Sequence, residues 1–135
     1  MEIVIVHNDK VLLAKRSEDA VVAPGAWNVP AGKVKYDEIP VEAVFREAKE
    51  ETNLEVELVK ELSVRNFSGT TATGEKCFRV VFTYLVKPKN DDISTLKIDQ
   101  EHYEFAWVDK TELQNDKYDS LLEELRTIIL EQVFE

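Results

Sequence analysis

The segment from residue 32 to residue 54, GKVKYDEIPVEAVFREAKEETNL, constrains the chain more than any other. Its apolar residues recur at i, i+3, i+4 and i+7 and predict one face of an amphipathic helix: Val41, Val44, Phe45 and Ala48. The same helical period brings Glu47, Glu50 and Glu51 together on an adjacent face. Like charges at this spacing repel by roughly 0.2–0.5 kcal/mol per pair. A counter-charge would stabilise this stripe, and hard divalent cations take carboxylate oxygens as ligands.

A solvated acidic face is the alternative interpretation, because 27 acidic residues outnumber 17 basic ones in the chain. The residues around the helix favour the metal site. Their order resembles the Nudix box, G-x5-E-x7-R-E-U-x-E-E-x-G-U, in which U is a bulky aliphatic residue. Seven of its nine defined positions match: Gly32, Glu38, Arg46, Glu47, Glu50, Glu51 and Leu54. The chain is therefore similar to the Nudix hydrolase family, and to its MutT-like members.

Two positions depart from the box, and neither is a carboxylate. Ala48 replaces the bulky aliphatic residue, but it is apolar and falls on the predicted buried face. Asn53 replaces the glycine just beyond the helix. A left-handed residue closes many helices at this place, and Asn adopts that conformation more readily than other non-glycine residues. We therefore expect the helix end to be preserved.

The remaining periodicity predicts the order β-β-β-α-β-β-β-α. A hairpin is predicted from EIVIV and VLLAK around a turn at 7–10, with Pro40 in the first turn of the box helix. The other predicted elements are an extended segment at 27–32, strands at 54–67, 77–86 and 103–108, and a terminal helix at 118–134. Ser120 and Glu123 have the spacing of a capping box for that helix. The Nudix resemblance implies an α/β fold, an α/β/α sandwich with a mixed β-sheet between helices.

Length and charge limit the classes of partner. At 135 residues, one domain over 1–135 is expected. The formal net charge of −10 argues against nucleic acid or an anionic membrane as a partner, and bound metal ions would let an acidic protein hold phosphates. The single cysteine, Cys77, excludes an internal disulfide and is predicted to pack in the core or in a strand. No apolar run is long enough to span a membrane, so we expect a cytoplasmic protein.

The resemblance implies a Mg²⁺-dependent pyrophosphohydrolase, with Mn²⁺ as a possible substitute. Its substrate would be a nucleoside diphosphate linked to another moiety. The metal ligands carried over from the box are Glu47, Glu50, Glu51 and the Ala31 carbonyl. Arg46 is expected to pair with Glu38, and Glu42 to be a surface charge. Glu101, before the strand that contains Trp107, matches the general base of some members, with Glu104 as second choice.

Arg16 and Trp27 are the candidate substrate-binding residues, since Arg can bind phosphate and Trp can stack on a base. Core packing for Trp27 and a surface position for Arg16 are the alternatives. The expected substrate is a nucleoside triphosphate, including oxidised forms. ADP-ribose, another nucleotide sugar, or a non-catalytic nucleotide-binding module are the alternatives, although Gly69 stands where the ADP-ribose group has proline. The sequence allows a monomer or a homodimer.

Overall fold

Six strands within the described residues form a mixed sheet between two helices. The computed structural model describes residues 1–20, 24–70, 72–98 and 102–134. The strands are β1 (Glu2–His7), β2 (Lys10–Arg16), β3 (Trp27–Asn28), β4 (Val56–Thr70), β5 (Lys76–Pro88) and β6 (His102–Val108). The helices are α1 (Pro40–Thr52) and α2 (Glu123–Gln132), and short 3-10 turns lie at Lys89–Asp91, Glu112–Gln114 and Asp116–Tyr118. The order of strands and α-helices agrees with the sequence prediction.

β2 organises one half of the sheet, because it has neighbours along both edges. β6 pairs with one edge, while β1 and β3 pair with the start and the end of the other. β1 also runs parallel to β5, and β5 forms an antiparallel hairpin with β4. Asn8 and Asp9 take φ values of 51° and 61°, as the predicted tight turn between β1 and β2 requires. Because β1 leaves β2 early, Ala31 can bridge to Glu2 at the start of β1.

Two apolar clusters lie on opposite faces of the sheet, and successive residues of β1 and β2 alternate between them. The cluster beneath α1 contains Ile3, Ile5, Leu12, Val44, Ala48, Leu54, Val56, Tyr84 and Val86. The cluster beneath α2 includes Val4, Val11, Leu13, Trp27, Leu85, Tyr118, Leu125 and Ile129. This arrangement confirms the α/β/α sandwich. Within the described ranges, no helix is long and apolar enough to cross a membrane.

Helix α1 begins and ends where the sequence predicts. Pro40 occupies its first turn, and Asn53 closes it in the left-handed conformation, at φ 60° and ψ 14°, with its N–H donated to the Lys49 carbonyl at 2.9 Å. The predicted apolar face is wrong at Phe45, which is 41% exposed. The buried stripe contains Ala43 in place of Phe45 and continues through Ala48 to Glu51. The helix is thus turned so that an acidic residue faces the sheet.

The predicted start of the last helix is wrong. Tyr118 belongs to a 3-10 turn, and α2 begins only at Glu123. Ser120 does not form the suggested capping box, because its hydroxyl accepts a hydrogen bond from the Trp27 N–H at 2.8 Å. Leu122 takes the N-cap position without a side-chain hydrogen bond. In the 3-10 turn, the ring of Tyr118 packs edge-on against the ring of Trp27.

The β4–β5 hairpin is longer than predicted. The strands pair as far as Thr70 and Lys76, beyond the predicted strand ends at residues 67 and 77. Its outer half extends beyond the layers that the helices cover, and Phe78 and Val80 are 68% and 46% exposed. Cys77 lies in a strand, as predicted, but it is only half-buried and belongs to this outer half. Strand propensity predicts the two strands of the hairpin. It does not predict that their outer half extends beyond the helices that cover the sheet.

Replacing Ser120 by alanine should destabilise the fold more than replacing Glu123 by alanine. The first change leaves the Trp27 N–H without its acceptor, at a cost of roughly 1–2 kcal/mol. The second removes an exposed ion pair with Arg126, worth about 0.5 kcal/mol. Urea unfolding of both variants measures the difference. Equal losses would indicate the capping box instead.

Candidate functional site

The start of β1 fixes the backbone just before the acidic helix. Glu2 and Ala31 face each other as an antiparallel pair whose flanking groups make the hydrogen bonds. The bonds are Ile3 N–H to the Pro30 carbonyl at 2.8 Å, Gly32 N–H to the Met1 carbonyl at 3.1 Å, and the Met1 α-amino group to the Gly32 carbonyl at 2.6 Å. In such a pair the N–H and C=O of Ala31 point away from β1. The Ala31 N–H donates to Glu51 Oε2 at 3.0 Å, so the Ala31 carbonyl is directed toward the Glu51 side.

Gly32 allows α1 to approach this backbone closely. A Cβ at Gly32 would lie 2.2 Å from Glu47 Cδ and 2.5 Å from Glu47 Oε1. No side chain fits at such distances unless the carboxylate moves away. Glycine is therefore required by the position of the Glu47 carboxylate, and not by an unusual backbone angle.

Arg46 is the counter-charge that the acidic stripe requires. Its guanidinium reaches four groups: Nε and Nη2 donate to Glu38 at 2.7 and 2.9 Å, Nη1 to Glu47 at 2.8 Å and to Glu50 at 3.2 Å, and Nη2 to the Lys33 carbonyl at 2.9 Å. The bidentate pair with Glu38 confirms the predicted Arg46–Glu38 contact. Because one nitrogen serves both Glu47 and Glu50, the positions of these two carboxylates depend on the same cation.

Hydrogen bonds shift the pKa values of Glu38 and Arg46. Donation from Arg46, then from the Lys35 N–H, lowers the pKa of Glu38 from its ordinary 4.5 to about 2. The carboxylates of Glu38 and Glu47 in turn raise the pKa of Arg46. Glu38 and Arg46 are therefore charged at neutral pH, and their pairing ties the loop at 33–38 to the helix.

The carboxylates of α1 are suitable ligands for a hard cation, although they do not form a preformed metal site. Among the residues that the structure describes, no group of three or more His, Cys, Asp or Glu side chains is placed to hold a metal ion. Glu47 and Glu50 each use one oxygen for Arg46, which leaves a second oxygen as a potential ligand. Magnesium keeps several waters and is often bound through one or two carboxylates together with substrate phosphates. The donor set therefore fits such an ion without a preformed cage.

Trp27 lies on the opposite face of the sheet from the acidic residues of α1. It pairs with Lys15, whose neighbours in β2 alternate between the two faces, and it belongs to the cluster beneath α2. Its ring is 4% exposed, and its centroid lies 5.0 Å from that of Tyr118. The structure therefore favours core packing, the alternative to substrate binding, for Trp27.

The other candidates lie around the start of β6. Arg16, at the end of β2, faces His102 in the β2–β6 pairing, and its role in substrate binding stays a prediction. Glu101 lies outside the described residues, so its assignment as general base also stays a prediction. Glu104 faces Lys15 across the strands, and their charged atoms are 3.9 Å apart. Since this pair lies on the α2 side of the sheet, Glu104 is separated from Glu47.

A cavity beside Gly32 is not predicted from the sequence. It has a volume of about 490 Å³ and lies between the loop at 32–34 and the outer half of β5. The strand at 77–86 is predicted from its apolar residues, which do not by themselves distinguish a cavity wall from a core. The available signal was the apolar alternation Phe78, Val80 and Phe82, which continues outward beyond the residues that α1 covers.

Protonation of Glu38 should weaken the fold only under strongly acidic conditions. Because folding lowers this pKa to about 2, the ionised pair with Arg46 stabilises the protein above pH 4.5, and this stabilisation is lost as the pH falls toward 2. The difference in unfolding free energy between wild type and Glu38→Gln should be constant from pH 7 to about 5 and shrink below it. Urea unfolding at several pH values measures this, and a difference unchanged at pH 2.5 would contradict it.

Comparisons with known proteins agree with this geometry. The sequence model of the NUDIX domain matches residues 3–128. The chain is 34% identical over 108 residues to 8-oxo-dGDP phosphatase NUDT18 of Homo sapiens, a match that covers 79% of this chain and 30% of that protein. It is 31% identical over 115 residues to nucleoside triphosphatase NudI of Escherichia coli K12, with 81% and 80% covered.

A solved structure supports the same assignment. The crystal structure of the MutT NUDIX hydrolase from Burkholderia pseudomallei superposes with a TM-score of 0.71 at 28% identity, covering 98% of this chain and 94% of that one. The family match extends over nearly the whole described sheet and over the residues that surround Gly32 and Arg46. The chain therefore belongs to the Nudix hydrolase family, and its fold is MutT-like.

Proposed function

We propose that this protein is a divalent-cation-dependent hydrolase of nucleoside polyphosphates. Water would add to one phosphorus of a nucleoside diphosphate linked to another moiety, and the phosphoanhydride bond to the leaving group would break. A nucleoside triphosphate, including an oxidised one, is the first candidate substrate. The observation that carries the proposal is the contact of Arg46 with Glu38, Glu47 and Glu50 beside Gly32. The names of NUDT18, an 8-oxo-dGDP phosphatase, and NudI, a nucleoside triphosphatase, support a nucleotide substrate.

The residues that would hold the cation are Glu47, Glu50, Glu51 and the carbonyl of Ala31. A bound Mg²⁺ or Mn²⁺ would supply charge neutralisation for the diphosphate and a Lewis acid for the attacked phosphorus. In support, the Ala31 carbonyl is directed to the side on which Glu51 accepts the Ala31 N–H. Backbone and carboxylate oxygens of this kind are ligands for hard cations.

The chain's own contribution is positioning. Arg46 holds Glu38 with two hydrogen bonds and the Lys33 carbonyl with a third, and so fixes the loop that follows Gly32. The same guanidinium restrains Glu47 and Glu50 through one nitrogen. Arg46 is thus a positioning residue that acts through the two carboxylates. Glu101 remains the proposed general base, which would accept the proton of the attacking water.

A nucleotide panel tests the proposed activity. Wild type should release phosphate or pyrophosphate in the presence of Mg²⁺ or Mn²⁺. It should release neither when EDTA removes the cation. Glu50→Gln should lower kcat/KM by about 100-fold, because one ligand oxygen loses its charge. Glu42→Gln is the matched control, since Glu42 is an exposed acid on the same helix outside the box, and it should keep full activity.

Each result of the panel has a definite meaning. Equal activity of wild type and Glu50→Gln, or no activity of wild type on any nucleotide, would contradict the proposed hydrolase. Nucleotide binding without turnover would favour the non-catalytic module. Cleavage restricted to ADP-ribose or nucleotide sugars would favour that alternative class of substrate.

Gly32→Ala should separate activity from stability. The new Cβ would lie 2.2 Å from Glu47 Cδ, so the Glu47 carboxylate must move, while Gly32 itself does not have a positive φ that only glycine tolerates. We expect kcat/KM to fall at least about 10-fold, or roughly 1.4 kcal/mol in transition-state stabilisation. The melting temperature should fall only modestly, because the Glu47 carboxylate gives up one ion pair with Arg46 while the backbone at residue 32 needs no change. Retained activity would show that the position of Glu47 is not critical.

A further inference from the structure

We propose that the cavity between β5 and the loop at 32–34 binds the nucleobase of the substrate. This inference rests on the proposed function, since it concerns the part of the substrate that the acidic helix does not hold. The cavity has a volume of about 490 Å³, within the size range of small-molecule sites. The lining residues that matter here are Gly32, Lys33, Val34, Arg79, Val80 and Phe82.

The cavity adjoins the proposed cation site through Gly32. This glycine lines the cavity, and it also lies so close to Glu47 that a Cβ would contact the carboxylate carbon at 2.2 Å. Val80 and Phe82 continue the face of β5 on which Tyr84 packs beneath α1, because alternate residues of a strand share a face. The cavity therefore lies on the same side of the sheet as the acidic residues. One substrate can place its diphosphate near Glu47 and its remaining moiety in the cavity.

The wall formed by β5 is apolar and accessible. Val80 is 46% exposed although it lies in a strand, and Phe82 is only partly buried. The Phe82 ring lies nearly parallel to that of Tyr84, at an interplanar angle of 21° and a centroid distance of 6.4 Å. Val34 lines the cavity from the loop side. Such a wall suits a flat aromatic group, since aromatic and aliphatic side chains pack against the π face of a base.

The charge of the lining fits an anionic ligand. Lys33 lines the cavity from the loop side, and the described lining contains no Asp or Glu, although the chain carries a net charge of −10. Three other cavities bounded by described residues differ in this respect. Each is lined by at least two acidic residues: Glu55 and Glu57, Asp9 and Asp109, or Glu55 and Asp92. Of these four cavities, the one beside Gly32 is thus the one suited to a phosphorylated compound.

The loop side of the cavity is held by the Arg46 cluster. The carbonyl of Lys33 accepts a hydrogen bond from Arg46 Nη2 at 2.9 Å, and the Lys35 N–H donates to Glu38 at 2.9 Å. These bonds fix the backbone of the loop while its basic side chains remain exposed. The loop side of the cavity and the carboxylates are therefore positioned by the same guanidinium.

Filling the cavity tests the proposal without changing any charge. In Val80→Trp the larger side chain would occupy the space assigned to the base, so the affinity for an α,β-methylene nucleoside triphosphate should fall at least about 10-fold. Phe78→Trp is the matched control, because Phe78 lies on the same strand face but does not line the cavity, and its affinity should stay within about 2-fold of wild type. Calorimetry with Mn²⁺ present measures both affinities.

A second measurement shows whether the effect is confined to the base. Mn²⁺ binding, followed by electron paramagnetic resonance, should be the same in wild type and Val80→Trp, whereas Glu50→Gln should weaken it. Unchanged nucleotide affinity in Val80→Trp, or an equal loss in Phe78→Trp, would overturn the base site. Because binding needs no turnover, the base site can survive a failed nucleotide panel. Conversely, an active enzyme whose Val80→Trp variant binds normally would remove only this inference.

Discussion

The contact of one guanidinium with three carboxylates is the interaction on which the site depends. Like charges at i, i+3 and i+4 destabilise a helix, and α1 carries Glu47, Glu50 and Glu51 at this spacing. Arg46 offsets the repulsion by holding Glu47 and Glu50 and pairs with Glu38 at the other side of the loop. Its planar fork can bind in several directions at once, which the point charge of a lysine cannot do. Arginine is therefore required here by geometry as well as by charge.

The same region shows how small residues bring acidic groups close to a backbone. Ala48 is fully buried on the inner face of α1, and Gly32 has no Cβ that would clash with the Glu47 side chain. The turn of the helix that buries Ala48 also carries Glu51, which is turned inward and accepts the Ala31 N–H. A bulkier side chain at position 48 would have to be accommodated between the helix and the sheet. The departure from the box at Ala48 is thus consistent with a close helix, and the acids gain their positions from it.

Much of the fold could be predicted from local signals, because those signals act within a few residues. Asn8 and Asp9 take the positive φ values of a tight turn, Pro40 starts α1, and Asn53 ends it. The failures involve contacts between distant segments. Ser120 has the spacing of a cap, but its hydroxyl serves Trp27, a partner 93 residues away in sequence. No local pattern can reveal from which of two backbone N–H donors such a hydroxyl will accept a hydrogen bond.

The box residues could likewise be identified from spacing, but their partners could not. Helical period places Glu47 beside Glu50, yet only the sheet determines that Gly32 meets the first of them and Ala31 meets Glu51. The cavity next to Gly32 exists because β5 extends beyond the part of the sheet that α1 covers. The sequence of the strand alone does not show how far it extends beyond the helix. Exposed Val80 is explained by this difference. In an acidic chain, a site for an anionic substrate then needs one part that binds phosphates through a cation and another part that lacks acidic side chains. Carboxylates can face phosphates through a cation, while the remaining moiety would bind where the described lining contains no carboxylate and Lys33 lies instead.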